Sequence, residues 1–387
     1  MVAGAGVVGV LTAYRLALSG AEVTLVDAGD LGAGTSGGSF AHANASYAGY
    51  WDYVELRRDG VAGYRRLRAE LGGAPWLHDT GCLSVHLSEQ HEAEFDAHLR
   101  RLDDLGHAAE RVEGPVTALE PALDVDQVGA AGVFPDEGYV DVPVMLEDLA
   151  ARLRALGVVV RTGDAVAGVE IDNGQVREVR LRSGTSLPAD WLVSCVGRWT
   201  DELVALAGVA PTLVAHEPVG GVPVPGLLVV VPAGPTPVSR VVAVDDMNYR
   251  PAGEGRTMVW SGSVDMELAR EGGASADPAT IERLVARVVE AAAEHAATLR
   301  GATPLSAIVC QRALPADGLP VVGAVPGLNG LYVVLAHAAI TMAPALADIV
   351  TLELTGGRTD PRVTRFRPDR LLAKSVADSD QQLEGAS

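Results

Sequence analysis

The stretch Gly4-Ala5-Gly6-Val7-Val8-Gly9 constrains this chain more than any other. It lies between a short apolar segment, residues 1–3, and an apolar run at helical spacing, residues 10–19, that stops at Gly20. Residues 22–26 then read as a buried strand ending in Asp27. Strand, glycine turn, helix and strand in this order open a nucleotide-binding α/β sheet. Each part has a physical task. Gly4 permits the tight turn, Gly6 lets backbone N–H groups approach a pyrophosphate, and Gly9 lets the helix pack close to the strand. The helix start at Val7 and Val8 offers donors and a partial positive charge to phosphates. Asp27, 23 residues after Gly4, is placed to accept from ribose hydroxyls. The first strand is short, three residues before Gly4 against the usual ~5–6. It reads as though a few residues were missing ahead of Met1, which would weaken its pairing in the sheet.

Bulk properties exclude several partners. With 387 residues and 48% apolar content, the chain can build two packed units or one interleaved fold. A formal net charge of −20 repels phosphate backbones and anionic lipid, so neither nucleic acid nor a membrane surface is an expected partner. Cys82, Cys195 and Cys310 are too few and too widely spaced for a disulfide framework or a metal site. They point to a reducing, cytoplasmic setting and to no metal. The best candidate for a membrane span, residues 222–231, is short and broken by Pro223 and Pro225, so no integral membrane segment is expected. No basic region precedes the first apolar stretch, and no signal peptide is expected.

Four further stretches identify the dinucleotide. Gly34-Thr35-Ser36-Gly37-Gly38-Ser39 is a glycine- and hydroxyl-rich loop suited to a second phosphate. Residues 190–200 run as a buried strand into the turn Gly197-Arg198-Trp199. Residues 312–323 begin Arg312-Ala313-Leu314-Pro315, and residues 330–344 form an apolar strand followed by His337-Ala338-Ala339-Ile340-Thr341. In this order the motifs resemble the D-amino-acid-oxidase-like (DAO) superfamily of FAD-dependent oxidoreductases, which includes glycine oxidase, sarcosine oxidase and D-amino acid dehydrogenases. The resemblance runs from Gly4 to about Leu372.

That resemblance implies an α/β fold. A Rossmann-like FAD-binding domain of glutathione-reductase type is interleaved with an α+β substrate domain on a large antiparallel sheet. The FAD domain would comprise residues 1–45, 140–208 and 305–372, and the substrate domain residues 46–139 and 209–304. The polar, acidic residues 373–387 read as a flexible tail. The residues agree in the middle segment. Residues 142–156 carry an apolar stripe of Met145, Leu146, Leu149 and Leu153. Residues 158–160, 165–171 and 175–181 read as strands, the last two joined by the Asn173-Gly174 turn. In the substrate segment, residues 213–244 and 257–261 hold strand-like runs, and residues 281–299 read as an amphipathic helix.

The resemblance also assigns residues. Arg312 takes the place from which relatives hold a substrate carboxylate, a task that suits a planar guanidinium. Tyr249 and Arg250, at the end of a strand, form a second polar pair for the substrate. His337 opens the segment similar to the family's His-Ser-Gly stretch. Here Ala338 and Ala339 replace Ser and Gly, ahead of a helix starting near Thr341 with Pro344 in its first turn. Ala338, Ala339, Ile340 and Thr341 would lie against the flavin ring. His42, past the phosphate loop, either contacts flavin or substrate or caps a helix. Gly197 and Trp199, with Arg198, close over the FAD ribose or adenine, and Val166 joins them. Thr35, Ser36, Gly37 and Ser39 belong to the phosphate loop. Cys310 matches the cysteine that bonds covalently to flavin in sarcosine-oxidase-like members, but a small buried residue and non-covalent FAD is the preferred reading.

The implied reaction is hydride transfer from the carbon beside an amine to flavin N5, giving an imine that water hydrolyses to an oxo acid. Oxygen or another acceptor would reoxidise the cofactor. Two alternatives stay open from sequence: an FAD-dependent 2-hydroxy acid dehydrogenase, and a non-catalytic or partner-dependent flavoprotein.

Overall fold

The computed structural model describes residues 1–372; the expected tail, residues 373–387, lies outside them. Two sheets organise the chain. The first has six strands in the order Val321–Ala324, Leu331–Leu335, Leu192–Ser194, Val2–Ala3, Thr24–Val26, Val159–Arg161. All neighbours are parallel except the first pair. The short opening strand is therefore central. Its ladder continues past both ends through Gly4 N–H to the Val26 carbonyl at 2.8 Å and the Met1 amine to the Trp191 carbonyl at 2.7 Å. The glycine turn leaves this strand where its two neighbours diverge, the position at which open α/β sheets bind ligands.

Helix Val7–Leu18 starts at Gly6. A Cβ on Gly9 would sit 1.8 Å from the Gly4 carbonyl oxygen, so only glycine lets the helix meet the strand at this depth. Helix Ala339–Gly356 packs between Val7–Leu18 and Val54–Glu70. It is apolar and long enough by composition to cross a membrane. Its residues Met342, Ala343, Leu346, Ala347, Ile349 and Val350 are buried in the core of the parallel sheet.

Pro344 lies in the second turn of this helix rather than the first, because the helix begins at Ala339. Proline has no N–H for the carbonyl four residues back. The buried Tyr64 hydroxyl donates to that Ile340 carbonyl instead, at 2.6 Å. Gly60, one turn before Tyr64, brings the helices together; a Cβ there would lie 2.1 Å from the Thr341 carbonyl oxygen. Helix Val54–Glu70, expected with the substrate segment, thus shares the core of the parallel sheet through Leu56, Tyr64 and Leu67.

The second sheet has eight strands, ordered Ser306–Gln311, Pro225–Pro232, Arg256–Ser261, Met247–Pro251, Val241–Val244, Cys82–His86, Ala130–Phe134, Glu110–Arg111. It is antiparallel apart from the pairing of Val241–Val244 with Cys82–His86. The expected boundary at 305 falls ahead of Ser306–Gln311, yet that strand belongs to this sheet, and the chain leaves it only at Arg312. Helix Pro278–His295 covers one face with Leu284, Val288 and Ala292. The other face is turned toward the parallel sheet. A smaller antiparallel sheet, Val166–Asp172, Gln175–Leu181 and Ser186–Pro188, carries the Asn173-Gly174 turn with positive φ at both residues.

Candidate active site

A cavity of about 1820 Å³ runs from the Gly4–Gly9 turn to the inner face of the large sheet. This exceeds the ~300–1,000 Å³ of a single small-ligand site. It has room for a dinucleotide and a substrate end to end.

The nucleotide end is built by Gly4, Gly6, Val8, Asp27, Thr35, Ser36, Ser39, Val166, Gly197 and Trp199. Helix Val7–Leu18 has no acidic residue in its first turn, and its N-cap, Gly6, has no side chain. The Ser36 hydroxyl accepts from Val7 N–H at 3.1 Å, marking the place where the helix start receives an oxygen. Asp27 ends its strand with Oδ2 accepting from Ala5 N–H at 2.6 Å and Oδ1 from Gly29 N–H at 2.8 Å. Each carboxylate oxygen keeps a second lone pair for a ribose hydroxyl. Thr35 donates to the Gln311 carbonyl at 2.7 Å, pinning the phosphate loop to the large sheet. Trp199 is 41% exposed, so it is a lid over Gly34 rather than core, and Arg198 stacks on its ring at 4.0 Å. Val7, Gly9 and Gly37 stand behind the cavity wall; Gly37 N–H instead holds the loop closed on the Gly32 carbonyl.

At the opposite end His337, Ala338, Ala339, Ile340 and Thr341 line the cavity. Ala338 caps the helix at φ 53°, a left-handed conformation that glycine would adopt without strain. Burial, reinforced by the charges of Arg312 and Arg57, lowers the His337 pKa to about 3, so its imidazole is neutral at physiological pH. His42 also lines the cavity, and its carbonyl accepts from the Thr341 hydroxyl at 3.0 Å. Its ring takes a hydrogen bond from Asn44 Nδ2 at 2.6 Å and faces Glu137 Oε2 at 3.4 Å. Glu137 is fully buried. Burial alone would raise its pKa, but the hydrogen bonds of His107 and His42 hold it well below the usual carboxylate range. With Cys82, His42 and Glu137 form a group close enough to hold a metal, although no metal was expected. In this structure the carboxylate is engaged by Ala45 N–H, Ser46 N–H and His107.

Arg312 reaches the cavity with three of its five N–H donors engaged. Nη2 pairs with Asp265 Oδ2 at 2.5 Å, and Nη1 donates to the carbonyls of Pro223 and Pro225. Asp265 is buried, and burial pushes its pKa up against the opposing pull of Arg312. Cys310 lines the cavity on the neighbouring strand, and burial raises its thiol pKa. All three cysteines are free.

Tyr249 and Arg250 do not line the cavity. Side chains alternate along a strand. Tyr249 points to the face under helix Pro278–His295, where its hydroxyl donates to the Ala292 carbonyl at 3.1 Å. Arg250 points to the inner face but is spent on bracing the loop. Its Nε donates to the Phe40 carbonyl at 2.5 Å, and it lies 4.9 Å over the Tyr139 ring. The residues that do floor the cavity are Asn248 and Trp260, in register across the strands. Alternation placed Asn248 on the face opposite Tyr249, but not which face was inward. Arg57, Asn44 and Asp265 were missed too.

The sequence pattern described as "FAD dependent oxidoreductase" (DAO) matches residues 1–352. The chain belongs to this family. It is 28% identical over 374 residues to glycine oxidase of Pseudomonas putida, covering 92% of this chain and 94% of that one. It is 29% identical over 267 residues to D-amino acid dehydrogenase of Methylobacterium nodulans, covering 54% and 63% of the two chains. Among solved structures, glycine oxidase from Geobacillus kaustophilus superposes with a TM-score of 0.80 at 19% identity, covering 95% of this chain and 96% of that one. The L-proline dehydrogenase from P. horikoshii gives 0.80 at 20% identity, with coverage of 95% and 96%. The DAO member described here is an FAD-dependent oxidoreductase, and its residues fit the cofactor. The helix start without an acid, the oxygen of Ser36 upon it, Asp27 at its strand end and the length of the cavity all suit a flavin dinucleotide.

Proposed function

We propose that this protein oxidises the C–N bond of an amino acid or a secondary amine, with FAD bound non-covalently. The observation that carries the reading is the single cavity joining the nucleotide cradle to a polar chamber walled by His337, Arg312 and the large sheet. When bound, FAD supplies a two-electron acceptor for the hydride on the carbon beside the nitrogen. The chain's own residues bind, orient and exclude water. Gly6, Ser36 and Asp27 would hold the dinucleotide. The helix start at Ala339–Thr341 directs a partial positive charge into the chamber. Neutral His337 can share a hydrogen bond with a neutral amine without repelling it. The imine then needs only water to give an oxo acid and the released amine, so no side-chain nucleophile is required.

The test is anaerobic titration of the purified yellow protein with amino acids, N-methyl amino acids and 2-hydroxy acids, followed in the visible spectrum. Bleaching by one of the nitrogen-containing classes supports the reading and names the substrate class. Bleaching by hydroxy acids alone overturns it.

A further inference from the structure

Strand Cys82–His86 sends alternate side chains to opposite faces of the large sheet. Leu83 and Val85 are buried in the core shared with helix Pro278–His295. Cys82, Ser84 and His86 line the cavity. Cys82 stands beside His42, and His86 is four residues of extended strand, roughly 13 Å, further along the wall. The parallel neighbour Val241–Val244 keeps the same register, with Val241 opposite Cys82 and Ala243 opposite Ser84. Asp245 continues that row. Its N–H donates to the Val85 carbonyl at 2.9 Å, and it lines the cavity with His86.

After His86 the chain folds back on itself. Ser88 Oγ accepts from Gln90 N–H at 3.3 Å and caps the single-turn helix Glu89–His91. Gly129 N–H donates to the His86 carbonyl at 2.8 Å, and a Cβ on Gly129 would lie 2.4 Å from the Ser88 carbonyl, so the return is held close. It brings the His91 ring edge-on to the His86 ring, with centroids 5.9 Å apart. Asp245 Oδ1 accepts from Leu87 N–H at 3.2 Å, which holds the carboxylate over the same turn. One donor atom from each of His86, His91 and Asp245 lies within 4.8 Å of the other two. His86 Nδ1 is 3.8 Å from Asp245 Oδ1, too far for a direct hydrogen bond.

Around a tetrahedral zinc-class ion with bonds of ~2.0–2.1 Å, donors stand roughly 3.3 Å apart. Closing the remaining gap, at most about 1.5 Å, takes only rotation of partly exposed ring and carboxylate ends. Two imidazoles and one carboxylate suit zinc and its transition-metal neighbours better than calcium or magnesium, which prefer oxygen.

We infer that His86, His91 and Asp245 form a site for a zinc-class divalent cation on the large-sheet wall of the cavity. Three protein ligands leave a fourth position to water or to an anionic group arriving through the cavity. Binding there is independent of which substrate the flavin oxidises.

The experiment titrates Zn²⁺ into the FAD-loaded protein, stripped beforehand with a chelator, and reads the heat of binding. One ion per chain is expected. Losing a group that merely supports a ligand typically costs ~10–100-fold in metal affinity, so losing a ligand should raise the Zn²⁺ Kd by at least about 10-fold. That rise is expected for His86→Ala, His91→Ala and Asp245→Asn alike. His91 is exposed and Asp245 has φ 46°, which asparagine tolerates, so these two variants serve if His86→Ala does not fold. Cys82→Ser should leave the Kd unchanged, which separates this site from the group formed by His42, Cys82 and Glu137. Zn²⁺ that binds all three ligand variants as tightly as the wild type would be adventitious and would overturn the inference. So would a wild-type protein that takes up no Zn²⁺ at millimolar concentration, or loss of the ion in Cys82→Ser alone.

Discussion

Removing the Tyr64 hydroxyl tests how the flavin-side helix tolerates Pro344. In Tyr64→Phe the Ile340 carbonyl loses the donor at 2.6 Å. The residue that would normally replace it, at position 344, is a proline without N–H. A buried acceptor left unpaired costs about 1–3 kcal/mol. At ~2 cal/mol/K of unfolding entropy per residue, a chain of this length that melts as one unit should lose about 1–4 °C in Tm. The double-mutant cycle makes the test specific. In a Pro344→Ala background the new N–H can close onto Ile340, so Tyr64→Phe should cost less than ~1 kcal/mol there. The coupling between the sites should be about 1–2 kcal/mol. The assay is thermal and urea unfolding of the FAD-loaded protein, with flavin fluorescence and circular dichroism followed together. Equal losses in both backgrounds would refute the argument, since the hydroxyl would then be serving something other than the carbonyl that proline strands.

Three further outcomes follow from the same geometry. Gly9→Ala drives a Cβ to 1.8 Å from the Gly4 carbonyl oxygen, a backbone atom that cannot swing aside, so the purified variant should have lost most of its flavin absorbance relative to protein absorbance. The His337 pKa falls to about 3 in the fold against ~6.5 unfolded, so its contribution to stability is complete above ~6.5 and drains away as pH falls toward about 3. The stability difference between wild type and His337→Asn should change by ~1.4 kcal/mol per pH unit within that window, and a flat difference would count against the burial of a neutral imidazole. Acid precipitation should leave the flavin in the supernatant for wild type and Cys310→Ala alike; flavin retained in the wild-type pellet alone would establish a bond through Cys310.

Much of the fold is legible in local patterns. The Gly4–Gly9 turn, helix Val142–Ala155 and the hairpin at Asn173-Gly174 follow from spacing and turn chemistry within short windows. Hydrogen bonds and side-chain periodicity in such units are set by residues a few positions apart, so the sequence determines them almost alone. The nucleotide cradle is legible for the same reason, because its donors belong to one turn and the helix after it.

The substrate end is different. Period-2 alternation says that Tyr249 and Asn248 face opposite ways, but only the docking of helix Pro278–His295 decides that Tyr249 is beneath the sheet. Arg312 is expected from the sequence as a carboxylate fork, but its partner Asp265, 47 residues earlier in the chain, is brought against it only by the fold. Arg57 lies at the cavity wall, on a helix that Gly60 lets press onto Thr341. Charge and size are properties of a residue. Whether a charge is spent or available depends on which distant groups the packing brings within a few ångströms, and that is decided only by the tertiary structure.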